Sequence, residues 1–121
     1  MSLGRLRRNT LRGVGYENQR RIDMTRLEKF LEDNLTQMRY CIGEMKKAYI
    51  NHNHNEIKRQ REIIDMLDGR VDRTREAFHT LYYQDILTDR TFATNLNKIH
   101  DYENKAEVIK KQGNEIISWI E

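Results

Sequence analysis

Apolar residues return every three or four positions along most of this chain, and no proline interrupts them anywhere in 121 residues. That spacing is one face of a helix rather than the alternation of a strand. The missing proline removes the residue that most often ends or kinks helices. Together these two facts leave little besides long helices packed on one another. Met24, Leu27, Leu31, Leu35, Met38, Ile42, Met45 and Tyr49 trace a first stripe. It stops at Asn51-His52-Asn53-His54-Asn55, residues that favour turns because their short polar side chains compete for backbone hydrogen bonds. Thr25 with Glu28 has capping-box spacing, although nothing between Tyr16 and Arg21 forbids an earlier start.

A second stripe runs through Ile57, Ile64, Leu67, Val71, Phe78 and Leu81, and its register also points Gln60 and Thr74 inward. Polar residues at such positions lower stability but specify how helices align. Gly69 inside this segment costs about 1 kcal/mol relative to alanine. Thr88-Asp89-Arg90-Thr91 offers an N-terminal cap for a third helix. Phe92, Leu96, Ile99, Tyr102, Ala106, Ile109, Ile116 and Ile120 form its stripe, with Gly113 at the remaining inward place and Trp119 beside it. The expected fold is all-α: an up-down-up antiparallel three-helix bundle, coiled-coil-like, with a basic N-terminal arm. The arm spans 1–18 and the bundle 19–121, with helices over about 19–50, 56–86 and 89–120. Short polar links make successive helices antiparallel.

Charge is distributed unevenly. Residues 1–26 hold Arg5, Arg7, Arg8, Arg12, Arg20, Arg21 and Arg26 against Glu17 and Asp23, a net of +5, whereas the remainder carries −2. The first lysine is Lys29. Arginine presents a planar fork suited to bidentate contact with carboxylate or phosphate, which a lysine-rich solubility tail does not. These seven arginines are therefore the candidate partner-binding residues, for an acidic protein surface or for phosphate.

Other residue types carry little chemistry. His52 and His54 form His-x-His in the loop, with His79 and His100 elsewhere, and no third or fourth ligand at metal-site spacing accompanies them. Cys41 lies next to a stripe residue without a base nearby, as an inert half-buried thiol would. The carboxylates Glu28, Glu32, Asp33, Asp65, Asp68, Asp72, Glu103 and Glu107 alternate with Lys29, Arg61, Arg70, Arg73, Arg75 and Lys110, the pattern of a solvated face. Gly13-Val14-Gly15 follows no strand and is no phosphate loop. No catalytic, cofactor-binding or metal residue is expected, and no enzyme. Tyr82, Tyr83 and Trp119 are candidate protein-contact residues, since adjacent tyrosines cannot both face the core and aromatics are favoured at interfaces.

The expected function is that of a non-enzymatic structural or adaptor protein. It would dock into a larger assembly, or into a homo-oligomer, through the arginine arm and the bundle faces. The alternative is a nucleic-acid-binding module whose arm makes sequence-independent phosphate contacts. Two other accounts of the arm are a solvated tail and a mitochondrial transit peptide, because residues 1–16 are Arg-rich and acid-free with Ser2 and Thr10. A lone cysteine fits a reducing, intracellular compartment, in the cytoplasm or within an assembled particle. No apolar run approaches the roughly 20 residues of a membrane span.

Overall fold

The computed structural model describes the backbone of residues 12–121 and the side chains from Arg26 onward. Three α-helices follow in order: α1 (Arg12–Ile50), α2 (His54–Tyr83) and α3 (Asp89–Ser118). The chain divides into two compact units, Met1–Phe30 and Leu31–Glu121. In the first, α1 is already helical at Arg12 rather than from about residue 19, so residues 12–18 of the expected arm belong to that helix. The local reason is that no proline or capping residue stops the helix there, and isolated glycines cost only about 1 kcal/mol each.

The second unit is a three-helix bundle, and its side-chain pairs give the helix directions. Between α2 and α3, Arg61 meets Asn114, Asp68 meets Lys110, and Arg75 meets Glu103. One number rises as the other falls, so the two helices are antiparallel. Between α1 and α3, Asn34 meets Tyr102, Ile42 lies beside Gly113, and Tyr49 packs on Trp119. Those numbers rise together, so α1 and α3 are parallel and the course is up-down-up.

The links are short because both helix ends turn sharply. His52 and Asp85 each adopt φ of 59°, in the left-handed region that His and Asp tolerate better than most residues. Past each of them, the chain donates back to the helix: Asn53 N to Ala48 O at 2.8 Å and Ile86 N to Leu81 O at 3.0 Å. The left-handed Asp85 ends α2 at Tyr83, short of the expected 86. Asn53 caps α2 by accepting from Glu56 N, which brings the helix start forward to His54. Thr88 caps α3 through Thr91 N at 3.1 Å, as its sequence predicts.

The core follows the stripes. Leu31, Leu35, Met38, Ile42 and Met45 of α1, Ile57, Ile64, Leu67 and Val71 of α2, and Ile99, Tyr102, Ala106, Ile109 and Ile116 of α3 are buried. Burial of this apolar surface is the main driving force for the bundle. The buried face of α1 is wider than one stripe and takes in Asn34, Cys41 and Ala48. A strict heptad spacing drifts against the 3.6-residue turn. By the last turn of α1 the inward place therefore belongs to Ala48, and Tyr49 is 41% exposed, not a core residue as its spacing suggests. Of the two inward polar positions of α2, Gln60 is buried and Thr74 only half-buried.

Candidate functional site

Arg5, Arg7 and Arg8 lie outside the described residues. Arg12, Arg20 and Arg21 fall on α1, which describes their backbone positions and no more. Arg26 is exposed on the same helix. The arginine cluster thus extends onto helix from Arg12.

The aromatic candidates occupy two places. Tyr82 stacks on Phe92 with ring centroids 4.2 Å apart and planes 8° from parallel, and His79 meets the same Phe92 edge-on at 5.1 Å. Tyr82 also donates its hydroxyl to Asp89 Oδ1 at 2.8 Å, and that carboxylate pushes its phenol above the ordinary value. The turn between α2 and α3 is thereby fastened by one stacked pair and one hydrogen bond. Tyr83 is 75% exposed beside it. A shallow depression of about 430 Å³ is lined there by Tyr82, Tyr83, Asp85, Leu87, Thr88 and Asp89. Trp119 lies at the opposite end of α3, edge-on to Tyr49 at 5.1 Å. Tyr82, Tyr83 and Trp119 therefore do not make one continuous surface, because α3 separates them by about 45 Å at 1.5 Å per residue.

His52 sits in the α1–α2 turn with His54 at the first residue of α2, His79 lies further along α2, and His100 pairs with Glu103 at 3.1 Å. Among the described residues no three His, Cys, Asp or Glu side chains converge as metal ligands would. Cys41 is buried at 4% exposure, more deeply than its position beside a stripe suggests. Burial raises its thiol pKa, partly offset by the Arg59 cation. A thiol held protonated is a poor nucleophile.

The most organised polar group lies inside the bundle, and the sequence pattern missed it. Asn34 of α1 donates through Nδ2 to Leu67 O at 2.9 Å and to the Tyr102 hydroxyl at 2.8 Å. Tyr102 of α3 donates in turn to Asp68 Oδ1 at 3.0 Å, and Lys110 Nζ donates to Asp68 Oδ2 at 2.9 Å. The Met38 sulfur lies 3.4 Å from the same hydroxyl. One chain of hydrogen bonds thus joins all three helices at a single level. Asp68 belongs to this layer and not to a solvated face; its side chain is 19% exposed, against 64% for Asp65 and 57% for Asp72. Burial, then the Asp68 charge, holds the Tyr102 phenol far above its ordinary value. The signal available in the sequence was Asn34, three residues after Leu31 and four before Met38 on the flank of the first stripe.

A second contact joins α2 to α3. The Arg61 stem crosses Gly113, where a Cβ would lie 2.9 Å from Arg61 Cδ. Its head donates to Asn114 Oδ1 at 2.9 Å and to Asp65 Oδ1 at 2.6 Å.

No protein-family model matches the chain, and neither a curated protein nor a solved structure matches it significantly. Among the described residues no helix is long and apolar enough to cross a membrane.

Proposed function

We propose that this chain is a non-enzymatic structural or adaptor protein that docks into a larger assembly through its arginine-rich N-terminal end. The observation that carries the reading is the segregation of charge: +5 over residues 1–26 against −2 over the other residues. A net-acidic bundle gives those arginines a field of the opposite sign on any second copy or acidic partner, and such complementarity steers association and fixes orientation. Tyr83, 75% exposed, and Trp119, 44% exposed, add aromatic contact area at two separate places on the bundle faces. Arg5, Arg7, Arg8, Arg12, Arg20, Arg21 and Arg26 would form the charged contacts.

The test compares the full chain with a form lacking residues 1–15, by light scattering and by co-purification from the native source. The docking reading expects a stable complex or oligomer with the full chain and its loss on deletion. A truncated bundle that still joins the same assembly would refute the arm's role. Titration with duplex DNA at several salt concentrations separates the phosphate-binding alternative. A logarithmic affinity falling with log salt at a slope of about −0.9 per phosphate neutralised, and flattened by the deletion, would move the function to nucleic-acid binding.

A further inference from the structure

We propose that the Asn34–Tyr102–Asp68–Lys110 layer, together with the Arg61–Gly113 notch, is a register lock that selects one alignment of α3 on α2 against alignments slipped by a heptad. The inference goes beyond the docking role and stands whether or not the arm binds anything. Its starting point is that the apolar stripes do not specify register by themselves. A shift of α3 by seven residues replaces Ile99 with Phe92 or Ala106, and Ile109 with Tyr102 or Ile116, all stripe members. Such a slip moves the helix by about 10 Å and, the Tyr102 place apart, keeps the apolar stripe of α3 turned to the core.

The polar contacts do not tolerate the shift in either direction. Sliding one way places Asn95 where Tyr102 stands and Glu103 where Lys110 stands, bringing a second carboxylate against Asp68. Sliding the other way puts Ile109 and Ile117 in those two places and leaves the largely buried Asp68 with neither partner. It also sets Lys110 against Arg75, where Glu103 now forms an ion pair at 3.2 Å. The notch acts independently. A slip replaces Gly113 with Ala106 or Ile120, and either one carries a Cβ into the space that the Arg61 stem fills. Leaving buried polar groups unpaired, or like charges together, costs far more than the apolar contacts gain by moving. Polar positions in helix bundles are known to trade stability for a defined alignment.

Measuring the distance between spin labels at Glu62 on α2 and Asp101 on α3 reads the register, with Cys41 replaced by alanine. Both label sites are exposed, and they are staggered along the bundle. The parent background is expected to give one narrow distance. The variant Asn34→Leu/Asp68→Leu/Tyr102→Phe/Lys110→Met, with Arg61→Ala to open the notch, is expected to fold cooperatively with an equal or higher Tm. It should show a second distance population, displaced by up to about 10 Å. A single unchanged distance in that variant would overturn the proposal. Should it fail to fold, the smaller set Asp68→Leu/Tyr102→Phe/Arg61→Ala decides. This set leaves Asn34 its Leu67 bond and Lys110 its neighbour Glu107. A second population there supports the lock. A single distance, or loss of folding there too, refutes it, since the layer would then serve stability rather than alignment.

Discussion

Replacing Tyr102 with phenylalanine removes one oxygen from the middle of the bundle and leaves the ring in place. That oxygen gives a proton to Asp68 at 3.0 Å and receives one from Asn34 at 2.8 Å. A hydrogen bond to a charged group contributes about 1.5–3 kcal/mol and a neutral one about 1 kcal/mol. Asp68 keeps Lys110 and is 19% exposed, so water partly replaces the hydroxyl and the lower end of the charged range applies. Asn34 keeps Leu67 O as a partner for one of its two amide protons. The expected loss is about 2.5 kcal/mol, or a fall in Tm of about 10 °C for a domain of this size. Urea unfolding followed by helical circular dichroism measures it, with Tyr49→Phe at the exposed end as a control expected to stay within about 0.5 kcal/mol. Asp68→Leu in the Tyr102→Phe background should cost less than in the parent, because the hydroxyl it would orphan is already gone; the cycle should show coupling of about 1 kcal/mol or more. The alkaline limb gives a second readout. The folded phenol titrates above the ordinary value of 10.0. Its contribution is therefore complete below pH 10 and declines as pH rises beyond it, and Tyr102→Phe should lack that decline. A loss under about 0.5 kcal/mol with additive double-mutant energies would mean that the hydroxyl does not couple Asn34 to Asp68.

Three further outcomes follow from single contacts. Gly113→Ala should leave the parent within about 0.5 kcal/mol, because shifting the flexible Arg61 side chain offsets the better helix propensity. In an Arg61→Ala background the same change should stabilise by about 1 kcal/mol, so only there should the denaturant midpoint rise clearly. Cys41 should resist a disulfide-exchange reagent at pH 8 in the folded protein and react at once in denaturant, since burial raises its thiol pKa; rapid labelling of the folded chain would contradict that burial. Glu56 is held at about 2 by hydrogen bonds from Arg59 and then Gln60. Its stabilising contribution is present above the ordinary value of 4.5 and lost as pH falls towards 2, so Glu56→Gln should flatten that acid limb of a stability profile.

Fold class is legible along the chain alone, because helix periodicity and the absence of proline are local properties. Leu31 through Met45, Ile57 through Val71 and Ile99 through Ile116 enter the core from spacing alone, and Thr88 announces the third helix through its own side chain. The charge asymmetry of residues 1–26 is likewise a count along the chain. What the pattern did not reveal depends on which residue of another helix lies opposite. Asp68 reads as one more surface carboxylate until Tyr102 and Lys110 reach it across the α2–α3 contact. Asn34 reads as the edge of a stripe until Leu67 and Tyr102 enclose it. Gly113 occupies an ordinary inward place until the Arg61 stem crosses it. Periodicity tells which face of a helix is buried. Only the tertiary structure decides how far each helix has slid along its neighbour, and hydrogen bonds a few ångströms long are sensitive to that offset where apolar contacts are not.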